Sequence, residues 1–208
     1  MRSVEIGGGT IAALVALMAA PCRGDELRPS FRHESYVSVA PSADDDVTWT
    51  RVLWVDRDLL HVEARYGYEG EDIATVLGGL HFAGGSTLTY DVHLALGLSA
   101  GATSGGVVAY RAELVMGVLD VSSEGELFVD WSQRGEAFFF TWTELGWSPL
   151  EWLRVGGTIQ RTRFHQSPRD VDAGPFAGLS SESIDVALYL FGLGTDEPDG
   201  TVLIGVSF

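Results

Sequence analysis

The sequence predicts an all-β fold, a closed antiparallel up-and-down barrel of about twelve strands. Three observations predict it. Apolar and polar residues alternate with period two through most of the chain after residue 24. Turn-forming clusters recur at regular spacing, with longer polar connections alternating with shorter ones. That long–short alternation is what an up-and-down meander across a slab gives, and an even strand count, taken as a rule, puts both termini on the short-turn side. Ten strands is the competing count.

The elements follow in order. "ESYVSVA" (34–40) is the first strand, included because the even count needs it. "PSADDD" leads to 47–55, and the short "DRD" turns the chain into 59–68. There "HVEARYGY" puts His61, Glu63 and Arg65 opposite Val62, Ala64 and Tyr66. "YEGED" leads to 73–82, and "AGGST" to 87–98, the clearest strand of all. Leu88, Tyr90, Val92, Leu94, Leu96 and Leu98 share one of its faces, and Thr89, Asp91, His93, Ala95 and Gly97 share the other. A helix would scatter Asp91 and His93 among the leucines. "AGATSGG" precedes 106–118, "VLDV" turns to 121–132, "SQRGE" leads to 137–147 and "SPLE" to 152–165. "SPRDVDAG" leads to 172–179, and "LSSES" to 183–193, where Ile184, Val186, Leu188 and Leu190 lie opposite Asp185, Ala187, Tyr189 and Phe191. "GTDEPDG" precedes the last strand, 200–208, with Val202, Ile204, Val206 and Phe208 on one face.

Composition bounds the function. The chain has 208 residues, 46% hydrophobic and 11% aromatic, enough for one domain and too apolar for disorder. A net charge of −16 argues against a nucleic-acid partner. All 13 cationic residues are Arg, and neither Lys nor Asn occurs. Arg2 ahead of the apolar run Ile6–Ala20 reads as a secretory signal, too short to span a bilayer as a helix. We expect a signal peptide over 1–24, cut after Gly24, and a barrel over 25–208. "Ala19-Ala20-Pro21-Cys22" also resembles a lipoprotein box. Cys22 is the only cysteine, so an internal disulfide and a Cys-rich zinc site are both excluded.

Alternation alone does not say which face meets water. In a soluble barrel the apolar face points inward; in a transmembrane barrel it meets lipid and the polar face lines the lumen. Two features point to the second arrangement. Trp49, Trp54, Tyr66, Tyr68, Trp131, Trp147 and Trp152 cluster near strand ends, where amphipathic rings sit at membrane interfaces, with Trp142 an exception in mid-strand. The polar face carries charges, many of them several residues from any turn: Arg51, His61, Glu63, Arg65, Asp91, His93, Arg111, Glu113, Glu124, Glu126, Glu144, Arg154 and Asp185. As a lumen lining, mixed Arg and Glu can pair or stay hydrated.

The third feature is a resemblance. With a secretory signal and antiparallel strands, the stretch Val202, Ile204, Val206 and Phe208 resembles the last strand of bacterial outer-membrane β-barrel proteins, which ends on an aromatic. "FFFTWTELGWSPLEWLRVGGTIQRTR" is also similar to segments of uncharacterised members of that class. The resemblance implies that these four residues are read by the outer-membrane barrel assembly machinery. It also implies that the protein lives in the outer membrane of a Gram-negative bacterium, with membrane lipid and lipopolysaccharide as its surroundings.

Candidate chemistry is sparse. "Gly97-Leu98-Ser99-Ala100-Gly101" matches a nucleophile elbow, but it closes a strand rather than opening a helix. The Ser, His and Asn of outer-membrane phospholipases cannot be assembled without Asn, and no Ser is spaced beside a His and a Glu for a deacylase. Asp91 and His93 share a face and could activate a water; an Asp-x-His of this kind occurs in omptin-type proteases, which also need a facing Asp pair at the outer rim. Asp44 with Asp46, or Asp170 with Asp172, could supply such a pair, but from loops. The acids of 170–174 and 196–200 offer oxygen ligands without completing a calcium loop. We therefore expect no metal, no cofactor and no enzyme activity. The expected lumen belt is Arg51, Glu63, Arg65, Asp91, His93, Arg111, Glu113 and Glu126. The expected function is a narrow passive porin-like pore for ions or small solutes. A plugged structural barrel acting through its loops, an outer-membrane hydrolase and a soluble ligand-binding barrel are the alternatives. Oligomeric state is left open.

Overall fold

The computed structural model describes residues 30–40, 46–67, 72–131, 137–164, 170–193 and 199–207. The expected signal segment, Tyr68, the acids at 44 and 196–197, and Phe208 lie outside them. Twelve strands are present: β1 (Ser30–Ala40), β2 (Asp46–Arg57), β3 (Leu60–Tyr66), β4 (Ile73–Gly85), β5 (Thr89–Gly101), β6 (Gly105–Met116), β7 (Leu119–Asp130), β8 (Ala137–Leu150), β9 (Leu153–Phe164), β10 (Asp170–Ser180), β11 (Ile184–Phe191) and β12 (Asp199–Ser207). Each pairs antiparallel with its sequence neighbours, and β1 pairs with β12, so the sheet closes and leaves no edge. The seam register sets Glu34 against Gly205 and Val37 against Val202.

Closure fixes every side chain to one of two faces. Following the register from Glu63 through Leu77, Gly97, Val107, Phe128 and Phe138 never changes the face. The two faces have opposite chemistry. On β5, Leu96 is 66% exposed, whereas Ala95 is 6% and His93 8% exposed. The same holds round the ring: Leu80, Val108, Leu127, Leu145, Leu188 and Ile204 point out, and Glu34, His61, Glu126, Glu144 and Thr158 are buried inside. An exposed apolar band round a polar interior inverts the soluble plan and suits hydrocarbon, where only closed hydrogen bonding is tolerated.

Aromatic rings mark both rims of that band. Trp49, Tyr66 and Trp131 are exposed near the longer connections, and Trp147 and Trp152 near the shorter ones. Trp54 departs from this pattern. It is 6% exposed and faces inward, because its register partners Arg32 and Glu63 do.

Several strands run further than the sequence suggested. Gly84 and Gly85 read as turn residues, yet they pair with Tyr90 and Thr89 and extend β4. β8 runs through Ser148 and Pro149 to Leu150 because a register shift between Trp147 and Leu150 absorbs the irregularity.

The tight connections depend on left-handed backbone. Gly117 opens the β6–β7 turn with φ of 62°, and Asp58 opens the β2–β3 turn with φ of 54°. Asp tolerates this region because its short polar side chain can bond locally, whereas a β-branched residue does not. Gly117→Val is expected to lower the unfolding free energy by about 1–2 kcal/mol, read from urea unfolding in lipid vesicles.

Candidate functional site

The inward face is an ionic lattice concentrated in the half of the barrel that carries the short turns. Its first group spans β2 to β5. His61 lies between two carboxylates, Nδ1 at 2.6 Å from Asp56 and Nε2 at 3.2 Å from Glu63. Arg65 donates to Glu63 beside it and to Glu126 on β7, four strands round the ring. His93 Nε2 is 3.3 Å from Asp56, and His81 Nε2 is 3.0 Å from Asp91.

A second group crosses the lumen. Arg111 on β6 donates to Glu124 on β7 at 2.8 Å and reaches Glu34 on β1 at 3.4 Å. β6 and β1 are five steps apart in a ring of twelve, almost opposite, so this contact marks a constriction. The Trp54 ring lies beneath it, with the Arg111 guanidinium 4.2 Å and the Arg32 guanidinium 5.5 Å from its centroid. Arg32 also pairs with Glu34 at 3.1 Å and Asp185 at 3.6 Å.

A third group braces the far wall. Arg154 on β9 forks onto Asp120 through Nε and a terminal nitrogen, and bonds Glu144 with the other. Glu144 also accepts from the Trp142 indole at 2.7 Å. Above this, Trp142 meets Tyr189 and Phe191 edge-on, and Phe176 packs on Tyr189. Opposite, Leu77, Ala95, Val107 and Ala109 form a second apolar patch with Phe128. The lumen is therefore ionic toward the short turns and partly apolar toward the long loops.

The expected belt residues divide. Glu63, Arg65, Asp91, His93, Arg111, Glu113 and Glu126 all occupy inward positions, as their registers require. Arg51 does not: Val52 and Trp54 take the inward positions, so Arg51 points out and stacks over Trp49 at 4.0 Å. Asp91 lies near the short-turn end of β5, not at mid-strand, and close to His93 (3.2 Å) as well as His81. Ser99 bonds Thr75 at 2.7 Å inside a continuing strand pair, away from any elbow. The sequence reading missed Glu34, Asp56 and Asp120. Asp56 adjoins the tight turn and passes for a turn acid; only its alternation with Val52 and Trp54 could have revealed it.

Charge is unevenly distributed on the inward face. Glu34, Asp56, Glu63, Asp91, Glu113, Asp120, Glu124, Glu126, Asp130, Glu144, Asp172 and Asp185 occupy inward register positions, against Arg32, Arg65, Arg111 and Arg154. Even with three histidines among them, the described lining is strongly acidic.

A closed antiparallel barrel with an apolar exterior, aromatic rims and an ionic lumen has the architecture of an outer-membrane β-barrel, porin-like in form. No protein-family model matches the sequence, and no curated protein sequence matches it. Solved structures do. A KdgM porin superposes with a TM-score of 0.56 at 10% identity, over 85% of this chain and 99% of that one. A KdgM porin in complex with disordered oligogalacturonate gives 0.54 at 10% identity, over 86% and 99%. Omp33 of Acinetobacter baumannii gives a lower TM-score of 0.46 at 10% identity, over 86% and 98%. At such identity the likeness is one of fold.

Proposed function

We propose that the barrel is a narrow passive pore for ions or small solutes, and that it favours cations. The acid excess on its inward face carries this reading. Fixed carboxylates in a narrow path raise the local concentration of cations and repel anions. The Arg111–Glu34 contact supplies the constriction that sets the size of what passes. The oligogalacturonate held by a KdgM porin is anionic, and the acidic lining here argues against a solute of that charge.

The hydrolase alternative gains little. Asp91 and His93 are engaged with His81 and Asp56 near the short turns, far from the outer rim where an omptin-type site would lie. The proposed surroundings are lipid along the apolar band and lipopolysaccharide at the long-loop rim. Val202, Ile204 and Val206 occupy outward positions, where assembly machinery could read them together with Phe208.

Planar-bilayer recording of the refolded protein tests the proposal. Small conductance steps with a reversal potential shifted toward the cation are expected in a salt gradient. Arg111→Gln should raise the conductance and strengthen cation preference, because it removes a positive charge and a lumen-crossing contact together. Silent membranes containing folded protein would refute the pore and leave a plugged structural barrel.

A further inference from the structure

We propose that Asp56, His81 and His93 form a binding site for a divalent transition-metal cation inside the lumen. The sequence reading expected no metal; the three residues come from different strands and form no motif. The fold brings them together. His81 on β4 and His93 on β5 are directly opposed in the register, on the inward face. Their rings stack with centroids 4.5 Å apart and planes within 8°. Asp56 reaches the same point from β2, with an oxygen 3.3 Å from His93 Nε2. One ligand atom from each of the three lies within 4.8 Å of the others.

The contacts of His93 distinguish its two ring nitrogens. His93 is 8% exposed, yet its Nδ1 is buried with no hydrogen-bond partner. Asp91 Oδ1 is 3.2 Å from it but outside hydrogen-bonding geometry. Nδ1 therefore faces Asp91 and Nε2 faces Asp56, so the nitrogen turned toward the cluster is Nε2.

The surrounding groups resemble the outer shell of a metal site. Metal-ligating imidazoles and carboxylates are ordinarily oriented by further carboxylates and ring N–H groups. Here Asp91 Oδ2 holds His81 Nε2 at 3.0 Å, and His61 holds the other oxygen of Asp56 at 2.6 Å. Glu63 in turn holds His61 at 3.2 Å. Two imidazoles and a carboxylate suit zinc and its neighbours, whereas calcium and magnesium prefer oxygen throughout. Tetrahedral zinc places its ligand atoms about 3.4 Å apart, so binding requires the stacked imidazoles to turn out of their parallel arrangement and the ligand atoms to close in from the 4.8 Å they span here. Binding at this site does not require that the lumen conducts.

The test uses the refolded, metal-free barrel in detergent and titrates zinc chloride by calorimetry at neutral pH. One zinc per chain is expected, with no heat from magnesium. His81→Ala and His93→Ala should each weaken binding by at least about tenfold, the scale even of lost outer-shell contacts. His33→Ala, altered on the outward face of β1, should bind as the native protein does. Folding of each variant is read from its heat-shifted mobility on a gel. Cobalt(II) added to the unaltered protein gives a second readout, with intense visible bands expected from a low-coordinate site containing imidazole. Absence of saturable zinc heat, unchanged affinity in folded His81→Ala and His93→Ala, or a cobalt spectrum like that of the free aqueous ion would each overturn the proposal.

Discussion

Leu96→Arg is expected to destabilise the folded barrel in lipid vesicles by about 2–4 kcal/mol, the cost of a guanidinium near the bilayer midplane on a barrel's outer face. Leu96 lies at the centre of β5, and at 66% exposure it touches little of the protein itself. That makes the substitution discriminating. On a water-facing surface the same change should move stability by about 0.5 kcal/mol or less, because it breaks no internal contact. Urea unfolding in vesicles, followed by tryptophan fluorescence, separates the two. The cost should shrink toward the rims, so Leu119→Arg, at the short-turn end of β7, should be much milder.

Arg154→Ala is the second large effect, and it acts from inside. Arg154 stands between Asp120 and Glu144 and lies over the Phe176 ring, 4.5 Å from its centroid. Both carboxylates are buried, at 6% exposure each. Removing the cation leaves two like charges facing one another without compensation, which in a dry interior costs about 3–5 kcal/mol. Arg154 itself is a quarter exposed to the lumen, so water offsets part of this, and about 2–3 kcal/mol is expected. Arg154→Lys should recover only part, because an ammonium cannot fork onto Asp120. Adding Asp120→Asn and Glu144→Gln to Arg154→Ala should restore much of the loss. If it does not, the Phe176 stacking rather than the charge balance is what matters.

The fold was legible where alternation was clean. β5 reads unambiguously because leucines and a tyrosine take one face and Asp91, His93, Ala95 and Gly97 the other, and lipid and lumen sort the same two sets. The long and short connections were legible from turn chemistry. β2 was misread because both its faces are mixed. Trp49, Arg51, Leu53 and Val55 point out, while Val52, Trp54 and Asp56 point in. Rules that send Trp to lipid and Arg to the lumen fail together on such a strand, since Arg51 reaches out over Trp49 and Trp54 lies beneath two guanidiniums. The aromatic cluster of Trp142, Phe176, Tyr189 and Phe191 was not foreseen either: alternation set Tyr189 and Phe191 on the face of Asp185, but only the register brings rings from β8, β10 and β11 together. The histidine cluster was half visible. His93 was placed on the polar face, but nothing in one dimension sets His81 opposite it, and Asp56 is more than twenty residues away from either.

Lumen charge, constriction and metal cluster all presuppose one arrangement, in which alternate residues of each strand meet lipid and water. Nitroxide scanning along β5 measures that directly. Single cysteines are placed at positions 92 to 98 with Cys22 replaced by Ser, spin-labelled, and the barrel refolded into lipid vesicles. Collision with oxygen, which concentrates in hydrocarbon, should peak at 92, 94, 96 and 98. Collision with a water-soluble nickel chelate should be weak there and, where the narrow lumen admits the chelate, stronger at 93, 95 and 97. Oxygen maxima at the odd positions instead, or no alternation in folded protein, would contradict the account.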